Sequence, residues 1–301
     1  MFNLKLKLIL KHIEKMDNEY YISAKKPEGC ELIEDLVYNK IGKKEFKLDL
    51  AMPEKRKRLT SIPVIINIHG GGWVYGCKDS YYKYYGMNLS LKGYAVLTFD
   101  YRLAPKYNYP APLEDVYSVL KWVEDNSKKY NFDTENVFLV GDSAGANIAA
   151  LIGCILTNPE LEGFFNLHTN IKPKGLGLNC GVYDFDNVIE LGQAMNFPQV
   201  NNIVRWVFGT KKYRELPIYP KTSILKNITK QFLPCYIMGS ETDGLFPETK
   251  KMIEVLNVKG VNHKEHAVPK NENLNHVFHL RDNCSMSDVV MTEMTEFFKQ
   301  I

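Results

Sequence analysis

The sequence predicts an α/β fold, with a mostly parallel central sheet, helices on both faces and a helical cap. Three observations carry this. From about residue 60 onward, apolar runs of strand length alternate with helical patterns, the signature of a parallel sheet covered on both sides. Ahead of that alternation, Glu31 to Tyr38 and Lys44 to Leu50 meet around Gly42 as an antiparallel hairpin. Two segments break the rhythm: residues 1 to about 28, which carry a helical pattern, and Tyr183 to about Ile228, too apolar with Phe197, Trp206, Phe208 and Tyr219 to be a linker. These are expected to form the cap, giving segments 1–28 (N-terminal cap), 29–182 (core, first part), 183–228 (cap insertion) and 229–301 (core, second part).

The elements follow in order. A strand, Val64 to Ile68, precedes a helix around Tyr81 to Leu91, a strand from Tyr94 to Phe99 and a helix from Pro112 to about Asn126. In that helix Leu113, Val116, Tyr117, Leu120 and Val123 recur on one stripe, which marks its inner face. Next come the strand Asn136 to Val140, a helix from Ala146 to Leu156, and strands at Gly175 to Cys180 and Leu233 to Met238. A helix near Pro247 to Asn257, a strand near Lys264 to Val268 and a final helix from Ser287 complete the chain, the last burying Val290, Met294, Phe297, Phe298 and Ile301.

At 301 residues the chain can bury one large core with room for an appended cap. Its net charge is +3, and the one basic cluster, Lys55-Arg56-Lys57-Arg58, reads as a solvated loop, so nucleic acid is not an expected partner. The six cysteines lie far apart with no Cys-X-X-Cys pair, and reduced, buried thiols are expected. Met1 to Leu10 interleaves lysines with leucines and lacks the apolar core of a secretory signal, and no later run has the length of a membrane span. The expectations are therefore a cytoplasmic location and no stable membrane insertion. A homodimer stays open.

Chemistry enters with Gly141-Asp142-Ser143-Ala144-Gly145, set between a strand and a helix. Gly-X-Ser-X-Gly at such a junction is the pattern of a nucleophile elbow: the turn is so sharp that side chains at either glycine would strike neighbouring backbone, and it lifts the serine hydroxyl out of the sheet. A serine is a weak nucleophile near neutral pH, so it needs a base to take its proton and amides to hold the developing oxyanion. The amides are expected from His69-Gly70-Gly71-Gly72-Trp73, which follows the first parallel strand: Gly71 and Gly72 would act with the amide of Ala144. The acid and base should follow the nucleophile on loops at the C-terminal edge of the sheet. Asp243, in Gly239-Ser240-Glu241-Thr242-Asp243, fits the acid, with Glu241 as its close rival. His263 and His266 fall on a strand and are set aside; His276 and His279 lie in a later loop, and spacing alone does not separate them.

Together with Asp100-Tyr101-Arg102-Leu103-Ala104-Pro105, Tyr109-Pro110-Ala111 and His276-Val277-Phe278, these motifs resemble the hormone-sensitive lipase-like family over roughly residues 60 to 280. The resemblance implies an α/β-hydrolase fold and hydrolysis of carboxylic esters, commonly with short acyl chains. It places the nucleophile on Ser143, the acid on Asp243, the base on His276 and the oxyanion amides on Gly71, Gly72 and Ala144. The expected partner is a small-molecule ester, with no metal and no organic cofactor. An amide-cleaving hydrolase on the same triad, a peptidase or an arylformamidase, is the alternative; a non-catalytic ligand-binding homologue is a second. The chain departs from the family pattern at Ala146 and Val277, where glycines are usual, at Lys106, where Glu is usual, and in Gly244-Leu245-Phe246-Pro247-Glu248. Asp100 and Arg102 are expected to form a charge network that stiffens the oxyanion loop, and Asp142 to hydrogen-bond neighbouring backbone.

Overall fold

The computed structural model describes residues 8, 10–13, 15–17, 26–54, 61–79, 81–281 and 283–301. Its core is one eight-stranded sheet in the order β1-β2-β4-β3-β5-β6-β7-β8. The strands are β1 (Cys30–Ile41), β2 (Lys44–Pro53), β3 (Ile62–Ile68), β4 (Ala95–Phe99), β5 (Phe132–Asp142), β6 (Gly175–Asn179), β7 (Cys235–Ser240) and β8 (His263–Val268). β1 and β2 form the expected hairpin, longer than the hydrophobic pattern indicated, and β2 joins β4 antiparallel. From β4 to β8 every pairing is parallel. This is the mostly parallel α/β sheet that the alternation of strand and helix patterns predicts.

Because side chains alternate across a strand, β3 sends Val64, Ile66 and Ile68 to one face and Ile65 to the other, and each face has its own apolar core. Helices α2 (Ala111–Tyr130), α3 (Ala144–Thr157) and α8 (Phe246–Lys259) cover the first face; α1 (Tyr81–Ser90) and α9 (Ser285–Gln300) cover the second. The predicted stripe of α2 is buried throughout, and α2 ends on Asn131 in the left-handed conformation that commonly closes a helix. In α9, Val290, Met294, Phe297 and Phe298 are buried. A short helix that the periodicity missed, α4 (Pro159–Phe165), begins at Asn158, whose side chain accepts from the Glu160 amide.

Residues 183–228 contain α5 (Phe185–Ala194), α6 (Val200–Phe208), two 3-10 turns and α7 (Ile224–Asn227). Asp184 opens α5 by accepting from the amides of Asp186 and Asn187. Aromatic rings fasten this region to the core: Phe185 lies 4.9 Å from Trp73, and Phe208 5.9 Å from Tyr109, between ring centroids. Of the N-terminal segment, residues 8, 10–13 and 15–17 are helical, and Asp17 accepts a hydrogen bond from the Tyr75 hydroxyl at 3.0 Å. The rest of the expected N-terminal cap up to residue 25, and the cluster Lys55-Arg56-Lys57-Arg58, lie outside the described residues. Among the described residues, no single helix is long and apolar enough to cross a membrane.

The cysteine expectation needs correction. No cysteine is in a disulfide, but only Cys154, Cys180 and Cys235 are buried; Cys30 and Cys284 are half-buried and Cys77 is exposed. Cys77 lies between Gly76 and the charged pair Lys78-Asp79, in a loop and not in one of the apolar strand or helix runs that bury a thiol.

Candidate active site

The end of β5 turns into α3 through Ser143, whose backbone sits at φ 51°, ψ −115°. The flanking glycines are there for a steric reason. A Cβ on Gly141 would stand 2.4 Å from the carbonyl carbon of Gly145, and one on Gly145 would stand 2.0 Å from the Ile68 carbonyl oxygen. No side chain fits at either place, so the turn stays tight and Ser143 remains only half-buried. Its amide donates to the Asn179 carbonyl at 2.9 Å, which ties the elbow to the end of β6. The Ala144 amide opens α3, at the end of a helix where N–H groups have no intrahelical acceptor.

β3 delivers His69-Gly70-Gly71-Gly72-Trp73 to the same edge of the sheet. Gly71 (φ 102°) and Gly72 (φ 57°) adopt backbone conformations that L side chains disfavour, and a Cβ on Gly71 would meet the Tyr75 carbonyl oxygen at 2.2 Å. The Gly71 carbonyl accepts from the amides of Val74 and Tyr75, both at 3.1 Å. His69 is buried, stacked on Tyr101 with ring centroids 4.1 Å apart, and its Nδ1 lies 2.7 Å from the Gly70 carbonyl oxygen. Burial pushes its pKa down to about 4, so the ring is neutral near pH 7.

The acid and base positions come from the loops after β7 and β8. Asp243 is buried, and its carboxylate accepts from the Leu245 amide at 2.9 Å. Its other oxygen lies 2.7 Å from His276 Nδ1. Thr242 Oγ1 donates to the Leu274 carbonyl at 2.6 Å, which holds the two loops together. Desolvation works against charge on both groups. Burial is the largest single influence on each, but for Asp243 the adjacent imidazole, the Leu245 amide and Cys180 together keep the carboxyl below its usual value, and for His276 the Asp243 carboxylate and Cys180 together raise the ring.

The rivals sit elsewhere. Glu241 turns away to accept from the Lys270 amide at 3.0 Å. His279 is buried, packs edge-on against Tyr85 with centroids 5.2 Å apart, and neither ring nitrogen has a hydrogen-bond partner. His263 and His266 lie in β8, and His266 Nδ1 is 2.8 Å from a Glu293 carboxylate oxygen. The structure thus brings His276 and Asp243 together and places Ser143 and the glycine loop at the same C-terminal strand edge, where open parallel sheets bind ligands.

Three residues take roles that the sequence did not indicate. Cys180 Sγ, one His276 ring nitrogen and one Asp243 oxygen all lie within 4.8 Å of one another. As a metal site this trio fits poorly, because His276 Nδ1 and Asp243 Oδ2 at 2.7 Å stand closer than the roughly 3.3 Å between two ligands of one tetrahedral ion. Val277, at φ 48°, holds the left-handed conformation that explains why glycine is usual after the histidine; the departure there is one of backbone conformation more than of bulk. Glu248, fully buried, accepts from the amides of Tyr183 and Asp184 and so holds the first residues of the 183–228 region.

The expected charge network divides in two. Arg102 Nε donates to Asp115 at 2.8 Å and its amide to the same carboxylate at 2.7 Å. Asp100 instead accepts from the Lys78 amide at 2.8 Å, while Lys78, buried, reaches Asp49 at 3.0 Å. Asp142 has the backbone partners expected of it, the Asp142 and Gly70 amides, and its Oδ2 also accepts from the Tyr82 hydroxyl at 2.8 Å. Burial, the largest influence, pushes its carboxyl up to about 7.

The BD-FAE family model matches residues 48–253. Arylacetamide deacetylase of Bos taurus is 39% identical over 115 residues, covering 35% of this chain and 28% of its own length. Carboxylesterase NlhH of Mycobacterium tuberculosis is 36% identical over 92 residues, covering 31% and 29%. The match thus spans under a third of the length of these curated relatives. Esterase B of Lactobacillus Rhamnosis superposes with a TM-score of 0.87 at 24% identity, over 98% of this chain and 93% of that one. A bacterial heroin esterase gives 0.74 at 20% identity, over 96% and 90%, and at these identities both likenesses establish the fold. With its family model matched over most of its length, the chain belongs to the BD-FAE family, and its fold is that of the α/β-hydrolases, as its resemblance to the hormone-sensitive lipase-like family implied.

Proposed function

We propose that this protein hydrolyses carboxylic esters of short acyl chain by two-step acyl transfer to water. The observation that carries the reading is the 2.7 Å pairing of His276 Nδ1 with the buried Asp243 carboxylate, at the sheet edge that also holds the elbow serine and the glycine loop. With Nδ1–H facing Asp243, His276 Nε2 serves as the base. It takes the Ser143 proton as the hydroxyl oxygen attacks the ester carbonyl, and the amides of Gly71, Gly72 and Ala144 stabilise the oxyanion. The imidazolium, stabilised by Asp243, then protonates the leaving alcohol. Water enters by the same path in reverse: His276 deprotonates it, it attacks the acyl carbon, and Ser143 leaves with the proton. Each step uses groups of this chain and water.

Residues 1–28 and 183–228 are proposed to cap this site. The short-acyl reading is supported by the rings through which the second segment packs on the core: Phe185 lies 4.9 Å from Trp73 and 6.1 Å from Tyr109, and Phe208 5.9 Å from Tyr109, between centroids. A small-molecule ester is accordingly the proposed substrate. Cleavage of arylacetamides is a second reading, favoured by the name of the 39% identical relative. Paired aryl acetate and arylacetamide substrates separate the two.

Ser143→Ala is the direct test. Loss of at least ~10³-fold in kcat on p-nitrophenyl butyrate is expected, with the fold intact by circular dichroism and fluorophosphonate labelling abolished. Hydrolysis retained in the variant would refute the assignment. A substrate series from acetyl to lauroyl tests chain length, with kcat/KM expected to peak among the short acyl groups.

A further inference from the structure

The oxyanion loop is held by a chain of buried hydrogen bonds that the catalytic assignments above do not include. The Gly70 amide donates to the Tyr82 hydroxyl at 2.7 Å, and that hydroxyl donates to Asp142 Oδ2 at 2.8 Å. Tyr82 is 3% exposed, Asp142 2% and Gly70 is buried as well. Space around the junction is nil: a Cβ on Gly70 would stand 2.5 Å from Asp142 Oδ2 and 2.9 Å from the Tyr82 hydroxyl oxygen. One phenol from α1 therefore joins the loop after β3 to the residue that precedes the nucleophile.

We infer that Tyr82 is a positioning residue for the oxyanion hole, fixing the Gly71 and Gly72 amides relative to Ser143 through Gly70 and Asp142. The inference deepens the proposed function and rests on it.

Planarity of the peptide bond supplies the mechanism. In each peptide unit the C=O and the following N–H are rigidly opposed, so anchoring one aims the other. The unit joining His69 to Gly70 is anchored at both ends, at the His69 carbonyl by the Tyr101 hydroxyl (3.1 Å) and at the Gly70 amide by Tyr82. In the next unit the Gly70 carbonyl meets His69 Nδ1 at 2.7 Å, which aims the Gly71 N–H the opposite way. In the third, the Gly71 carbonyl accepts from Val74 and Tyr75, which aims the Gly72 N–H. Glycines have the widest backbone freedom, and this run would otherwise sample many orientations. Of the side-chain anchors, Tyr82 runs to the elbow, where the Gly70 backbone also meets Asp142, so it helps set the distance between the oxyanion donors and the reacting serine. Preorganised donors stabilise a transition state only when they already point at the oxyanion position. Asp142 suits its place in the chain as well: its Oδ2 accepts the phenol's proton, and a buried carboxyl group needs such donors to offset its lost hydration.

The test compares Tyr82→Phe, Asp142→Asn and the double variant with the wild type. Tyr82→Phe keeps the ring and its packing and removes the hydroxyl. Its kcat on a short p-nitrophenyl ester is expected to fall roughly 10- to 100-fold with KM within about twofold. The Ki of a trifluoromethyl ketone, whose adduct places an oxyanion in the hole, should rise by the same factor, because that inhibitor reports transition-state binding. Asp142→Asn keeps an acceptor for the phenol and should lose less, and the double variant should be no worse than Tyr82→Phe, since both changes break one linkage. A second arm does not depend on activity: hydrogen exchange of the peptide covering residues 64–75 should speed up at least tenfold in Tyr82→Phe, while that of α9 stays unchanged. Unchanged exchange in residues 64–75 overturns the inference, as does a fall in kcat without a matching rise in Ki. A wild type that hydrolyses no ester would instead count against the proposed function, and the exchange arm would still decide the role of Tyr82.

Discussion

His276 and His279 stand three residues apart in one loop and occupy opposite chemical surroundings. His276 is about a third exposed and faces the Asp243 carboxylate at 2.7 Å. His279 is sealed between Tyr85 and Phe278, with both nitrogens unpartnered. Their protonation follows the surroundings: Asp243 raises His276, whereas burial drives His279 down to about 3. The lesson is that an imidazole becomes a base through its partner. Burial without a carboxylate produces a neutral wall.

The largest effects should divide the two residues cleanly. His276→Ala is expected to lower kcat by ~10⁴-fold or more, while His279→Leu, of similar volume, should leave kcat within about tenfold. Steady-state kinetics on a short p-nitrophenyl ester, with folding checked by circular dichroism, would decide this. Loss confined to His279→Leu would reverse the comparison.

Next in size is the carboxylate that makes the difference. Asp243→Asn keeps the shape of the side chain but disturbs the tautomer and removes the charge, and ~10³- to 10⁴-fold in kcat should be lost. Glu241→Gln, bonded to the Lys270 amide, should leave turnover nearly unchanged. The pH profile sharpens the point. Since Asp243 raises His276, the acidic limb of kcat/KM in the wild type should lie above the usual histidine value and move to lower pH in Asp243→Asn. A limb that does not move would mean that another group sets it.

Much of this was legible in the sequence because it is local. The stripe Leu113, Val116, Tyr117, Leu120 and Val123 and the strand runs report their own burial through periodicity. The glycines of the elbow and the oxyanion loop report close backbone approaches, and the 2.0 Å from Gly145 to the Ile68 carbonyl shows how little room is left. What stayed hidden depends on contacts between distant residues. Spacing could not choose between His276 and His279, because the choice is made by Asp243, 33 residues earlier, and by Tyr85 on another helix. The Tyr82 link to Asp142 spans 60 residues and has no periodic signature. Val277 misleads for a different reason: a β-branched residue gives no hint of the left-handed backbone that its neighbours impose.

The smallest expected effect tests the wall itself, through stability. A histidine held at about 3 when folded and near 6.5 when unfolded binds fewer protons in the native state between those values, so its burial costs stability as pH falls through that window. His276 carries the opposite sign. Its raised value contributes stability that is present at low pH and lost as pH rises through the folded pKa. Urea unfolding of the wild type and His279→Leu at pH 7, 6, 5 and 4 should therefore show two curves that diverge on acidification, the variant losing less, by on the order of 1 kcal/mol per pH unit. The comparison is read from the slope, which the lost Tyr85 contact does not affect, since that contact costs a constant amount at every pH. Parallel curves would mean that His279 finds a proton-compatible partner when folded, and the contrast between the two histidines would reduce to one of position alone.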